Sequence, residues 1–139
     1  MGLFHRVSDI LKANINRMLD QAEDPELVLD QLIQEMQESY RKSKIEVAKA
    51  LGDEKRLKHL LATNQEMAGK WGRKAVLAVE KSDDDLAREA LKRKRSYEDI
   101  SHEFQAQWTE QKKVTDVLRE NLFGLESKID EARRKKSLL

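Results

Sequence analysis

The sequence predicts an all-α protein: a long antiparallel two-helix coiled-coil hairpin preceded by a short N-terminal amphipathic helix. Three observations lead there. Apolar residues recur at alternating steps of three and four along 25–80 and again along 83–139. The only proline, Pro25, opens the first of these stretches. Charged residues make up 38% of the chain and aromatics 5%, too little apolar matter for a thick globular core but suited to long exposed helices.

The first element covers residues 1–23. At 100° per residue, Leu3, Phe4, Val7, Ile10, Leu11, Ile15, Met18 and Leu19 fall on one side of a helix over 2–22. His5, Arg6, Asp9, Lys12, Asn16, Arg17 and Asp20 fall on the other, and Asn14 alone interrupts the apolar arc. Two readings compete. In one, the helix packs on its own protein or on a neighbouring subunit. In the other it lies in the plane of a membrane surface, and the eight apolar residues are the lipid-binding set. Phe4 and the full arc favour the second; the mildly basic polar face weakens its electrostatic part. Burying half of eight such side chains is worth on the order of 8 kcal/mol gross. Ordering about twenty residues costs at least as much before hydrogen bonds offset it. One copy therefore binds lipid marginally, and many copies on one assembly bind firmly.

Next comes a joint at Glu23-Asp24-Pro25-Glu26. Asp24 is a good N-cap, Pro25 suits the first helical position, where its missing N–H is no loss, and Glu26 faces the helix dipole. The hairpin, residues 24–139, follows. Its first arm, about 25–80, carries the seam Leu29, Ile33, Met36, Tyr40, Ser43, Val47, Ala50, Glu54, Leu57, Leu61, Asn64, Ala68, Trp71, Ala75, Ala78. Gly69 and Gly72 bracket Trp71 and predict softness or a bend there. The arm breaks at Lys81-Ser82-Asp83-Asp84-Asp85, where Ser82 and Asp85 predict a capping box opening the return helix. The second arm, 83–139, carries Ala87, Ala90, Lys94, Tyr97, Ser101, Phe104, Trp108, Gln111, Thr115, Leu118, Leu122, Leu125, Ile129, Ala132 and Lys136. Folding about residues 82–83 brings Trp108 to Leu57, Phe104 to Leu61, Leu125 to Tyr40, and Lys94 and Arg95 to Trp71 for a cation–π contact. Leu32, Ile45, Leu51, Leu60, Val76, Val79, Ile100, Val114 and Val117 lie off the seam and need a partner, the simplest being an identical hairpin. The last residues, from Arg133 to Leu139, carry no helix stop signal, so a longer chain is expected.

Several function classes find no support. The 27 basic and 26 acidic residues are interspersed and give a net charge of +1, without the basic excess that nucleic acid demands. No cysteine is present, which removes disulfides and thiolate metal sites. No apolar run is long enough to cross a membrane, and polar residues break any signal-peptide core. Arg6 stands where an N-myristoylation motif wants Ser or Thr. No P-loop, dinucleotide fingerprint, nucleophile elbow or histidine-rich spacing occurs, and His5, His59 and His102 read as surface residues. No catalytic residue, cofactor or metal is expected. The runs Lys92-Arg93-Lys94-Arg95 and Arg133 to Lys136 read as solvated faces or intersubunit contacts.

Four segments resemble the phage-shock-protein A family, which includes the vesicle-inducing protein of plastids and belongs to the ESCRT-III superfamily. They are Met1-Gly2-Leu3-Phe4-His5-Arg6 with Asn14-Ile15-Asn16; Ala22-Glu23-Asp24-Pro25 with Ile33-Gln34-Glu35-Met36; Asp85-Leu86-Ala87-Arg88-Glu89-Ala90-Leu91; and Leu125-Glu126-Ser127-Lys128 with Glu131-Ala132-Arg133. The resemblance implies a non-enzymatic protein at the cytoplasmic face of a bacterial inner membrane, or its plastid counterpart. Such a protein binds anionic or stressed lipid through residues 2–22 and forms homo-oligomeric rings or rods that maintain or remodel the bilayer. It also implies an alternative, a regulatory module whose hairpin inhibits a AAA+ transcriptional activator of the stress response, with membrane stress sensors as further partners. Family members usually run longer, with further helices, so this chain corresponds to their N-terminal portion. Some plastid-type relatives are proposed to hydrolyse nucleotide; the matching positions are Lys44, where they carry arginine, and Glu126.

Overall fold

A computed structural model describes residues 2–139. Met1, the first residue of the N-terminal motif, lies outside the described residues. Four helices follow in order: α1 (Gly2–Lys12), α2 (Ile15–Asp20), α3 (Pro25–Glu80) and α4 (Asp84–Ser137). The two long helices pack against each other as a hairpin, with no strand among the described residues.

The N-terminal element is two helices where one was expected. Asn14 is the cause. It sits in extended backbone at φ −96° and ψ 102°, and its side-chain oxygen accepts a hydrogen bond from the Arg17 N–H at 3.1 Å. A carboxamide inside an apolar arc has no partner in a continuous helix. At an N-cap it satisfies a free amide, and the chain is re-aimed. The joint behaves as read from the sequence. Asp24 Oδ1 accepts from the Leu27 N–H at 3.2 Å, and Pro25 is the first residue of α3.

The turn between the long helices lies where expected, but its parts exchange roles. Ser82 is no N-cap; it takes the left-handed conformation, φ 59°, two residues past Glu80, the last residue of α3. Its N–H donates to the Val79 carbonyl at 3.0 Å and the Asp83 N–H donates to the Ala78 carbonyl at 2.8 Å, the two bonds of a Schellman ending. Asp83 then caps α4, accepting from the Leu86 N–H at 3.1 Å. One aspartate thus closes α3 through its amide and opens α4 through its carboxylate.

The chain forms two compact units, residues 1–50 with 114–139 and residues 51–113. In the first, α1 and α2 cover the packed α3 and α4. Its core takes Val7, Ile10 and Ile15 from the N-terminal segment, Leu29, Leu32 and Met36 from α3, and Leu125, Ile129 and Ala132 from α4. Lys136 Nζ meets Asp30 Oδ1 at 2.6 Å, which pins the register of the helix pair here. That hydrogen bond, with the Asp30 charge, holds the Lys136 ammonium above the usual lysine range.

The second unit has α3 and α4 alone. Its buried apolar seam consists of Leu57, Leu61 and five alanines, Ala68, Ala75, Ala78, Ala87 and Ala90. Two polar seam residues bond back to their own helix: Asn64 Nδ2 donates to the Leu60 carbonyl at 2.8 Å, and Ser101 Oγ to the Tyr97 carbonyl at 2.8 Å. Lys58 lies over the Trp108 ring, in the expected register. Trp71 is flanked by Lys74 at 4.3 Å and Arg93 at 4.9 Å, not by the expected Lys94 and Arg95. The reason is Gly72. A Cβ there would stand 3.5 Å from Lys94 Cδ and Cε, so the Lys94 stem lies along the glycine and leaves the ring to Arg93. α3 runs unbroken through Gly69 and Gly72.

Candidate membrane-binding site

The eight apolar residues of the N-terminal arc do not face one way into solvent. Val7, Ile10 and Ile15 are 3%, 5% and 3% exposed, set into the core of the first unit. Leu3, Leu11 and Leu19 are half-buried against the same cluster. Phe4 and Met18 point outward, Phe4 at 56% exposure. The Asn14 break allows this. It separates Val7 and Ile10 from Ile15 by a change of direction, so both groups reach one core.

Three further contacts hold the segment. Lys128 Nζ donates to the Ala13 carbonyl at 2.7 Å, at the break between α1 and α2. Arg6 Nε lies 3.5 Å from Glu35 Oε1, an exposed pair worth little by itself. At Gly124 a Cβ would stand 2.7 Å from Leu11 Cδ2, so the leucine methyl occupies the space of the missing side chain. Asn121, Gly124, Lys128, Glu131 and Lys135 form a second half-buried stripe on α4, beside the seam of Leu122, Leu125, Ile129 and Ala132. On α3, Leu32 and Ser39 are buried off the seam in the same unit. Leu32, expected to need an external partner, finds one in its own N-terminal segment.

Sequence reasoning passed over Gly124, and named Lys128 only within a family-like segment, without its contact. The glycine offered a signal, since an interior helical glycine costs about 1 kcal/mol relative to alanine and asks for a packing reason. Nothing local pointed to the acceptor of Lys128, which lies 115 positions away. Lys44 sits over the Tyr40 ring at 5.7 Å, and Glu126 borders a shallow recess with Gln37, Tyr40, Ile129, Asp130 and Arg133. Among the described residues no three His, Cys, Asp or Glu side chains gather for a metal ion, and no helix is long and apolar enough to cross a membrane.

An amphipathic segment docked on a long α-hairpin defines a class of helical scaffold with an apolar face in reserve. Residues 2–139 match the PspA/IM30 family, and the chain belongs to it. It is 41% identical over 139 residues to "Membrane-associated protein Vipp1" of Synechocystis sp., covering all of this chain and 52% of that protein. It is 39% identical to "Phage shock protein A homolog" of Deinococcus radiodurans, covering 62% of that protein, and 40% identical to "Membrane-associated protein VIPP1, chloroplastic" of Arabidopsis thaliana, covering 42%. The chain spans about half the length of most of the curated relatives it matches.

Proposed function

We propose that this chain is the N-terminal part of a non-enzymatic, phage-shock-type membrane-stress protein at the cytoplasmic face of an inner membrane. Its N-terminal segment binds anionic or stressed bilayer through Leu3, Phe4, Val7, Ile10, Leu11, Ile15, Met18 and Leu19. Its hairpins associate with one another and multiply that weak grip, and the assembly maintains or remodels the bilayer. One observation carries the reading: in this chain, which belongs to the PspA/IM30 family and resembles a relative named as membrane-associated, the N-terminal segment concentrates eight apolar residues in two short helices. The apolar surface left open on the second unit, including Val76, Leu77, Val79 and Leu86, supports the self-assembly.

Phe4→Glu is the cleaner test, because Phe4 is exposed and the substitution leaves the core alone. In the full-length protein it should abolish co-sedimentation with anionic liposomes at unchanged helicity by circular dichroism, whereas Val7→Asp, which buries a carboxylate in the core, should lower stability as well. Undiminished co-sedimentation of the Phe4→Glu protein defeats the reading.

A second reading is favoured by the burial of Val7, Ile10 and Ile15. Here the N-terminal segment serves only as a packing layer and the hairpin is a regulatory module that inhibits a AAA+ activator. Deleting residues 1–22 should then leave inhibition of the activator's ATPase intact, and loss of inhibition rejects it.

A further inference from the structure

We infer that Gly124 and Lys128 of α4 form a latch that holds the N-terminal segment shut, and that the strength of this latch sets how readily the segment reaches lipid. The latch rests on geometry alone; its consequence for lipid rests on the membrane-binding reading above.

One apolar face has two claimants. Val7, Ile10 and Ile15 are almost wholly out of solvent against α3 and α4, and the same atoms cannot lie among acyl chains while they are there. Lipid can therefore take the segment only when it has left the hairpin. Apparent affinity is then the intrinsic affinity multiplied by the fraction of molecules already open. Whatever stabilises the closed state without touching lipid lowers that fraction.

Gly124 and Lys128 are placed to do this. Neither belongs to the apolar arc, and both grip it near its break. Leu11, the last apolar residue of α1, seats its Cδ2 methyl where a Gly124 Cβ would otherwise be, 2.7 Å away. Four residues on, one turn along the same stripe, Lys128 binds the Ala13 carbonyl. That carbonyl is orphaned because Asn14 ends the helix, and the end of a helix carries partial negative charge that an ammonium suits. Lys128 is only 22% exposed at its side chain, so water screens this bond less than it screens the Arg6–Glu35 pair. The break in the N-terminal segment is thus also the point at which it is held.

The test uses the full-length protein and four variants: Gly124→Leu, which fills the space of the Leu11 methyl; Lys128→Gln, which removes the ammonium; Phe4→Glu; and Gly52→Ala, whose added Cβ meets nothing within 4 Å. Hydrogen exchange of amides 3–20 without lipid reads the latch. Binding to vesicles of equal parts phosphatidylethanolamine and phosphatidylglycerol reads the consequence. Gly124→Leu and Lys128→Gln should each speed exchange across 3–20 and tighten vesicle binding by about five- to tenfold. Gly52→Ala should move neither. Unchanged exchange in both latch variants overturns the proposal, and so does faster exchange with unchanged or weaker vesicle binding while Phe4→Glu still abolishes it. If wild type and all variants ignore the vesicles, the membrane reading falls and takes the coupling with it, while the exchange result still decides the latch.

Discussion

The two units bury their seams by different means. In the first, three layers meet, and the space between them accepts large side chains: Leu29, Met36 and Leu125 are wholly buried. In the second, two helices meet without a cover. A two-helix contact shields only a narrow strip, so it closes over alanines, while Val76, Leu77, Val79, Leu86 and Leu91 stand half or more exposed. The same heptad pattern therefore yields a core closed by a third layer in one unit and a bare two-helix seam in the other. The difference locates the large enclosed side chains in the first unit, while both units keep apolar side chains, Phe123 and Val79 among them, open to a partner.

The largest effect that separates the units is expected from truncating their seams. Leu125→Ala should cost about 3 kcal/mol, since a fully enclosed leucine leaves a cavity that three layers cannot collapse. Ala75→Gly in the second unit should cost about 1 kcal/mol, mostly the helix penalty. Thermal unfolding followed at 222 nm gives both numbers. Equal losses would mean that the third layer adds nothing.

A smaller effect belongs to the turn of the second unit. Ser82 occupies the left-handed region without the freedom of glycine, so Ser82→Gly should stabilise by about 1 kcal/mol. Asp83→Ala should destabilise by about 1 kcal/mol through loss of the α4 cap. A Ser82→Gly protein no more stable than wild type in chemical denaturation would contradict the Schellman assignment.

The smallest effect is electrostatic and lies in the first unit. The hydrogen bond from Arg41, at 2.6 Å, and its charge hold the Glu38 carboxyl below the usual range. A carboxylate depressed in the folded state contributes stability above its unfolded value and loses it as pH falls through the folded one. Glu38→Gln should slightly lower the neutral plateau of a stability–pH profile and flatten its acid limb, so that the two proteins converge at low pH. Because the pair is exposed, added salt should shrink even that difference.

Much of this fold was legible without coordinates. Every seam position predicted on α3 is buried or half-buried, as is every one on α4 except Lys136. The Asp24–Pro25 joint and the site of the turn were equally plain. These features rest on interactions three or four residues apart, or on a cap beside its helix, so neighbouring letters suffice to specify them. The roles within the turn were less plain, because a serine and an aspartate can each cap and only the completed backbone decides which one turns left-handed.

The sequence by itself determined that residues 2–22 carry an apolar arc and that two long arms would pair along known positions. Only the tertiary structure decided that the arc is broken at Asn14 and turned inward. The surface that receives it is assembled from Leu32 and Met36 on one helix and Gly124, Leu125 and Lys128 on another, about ninety residues apart in the chain. No local pattern encodes such a surface, because it exists only once the two helices have met.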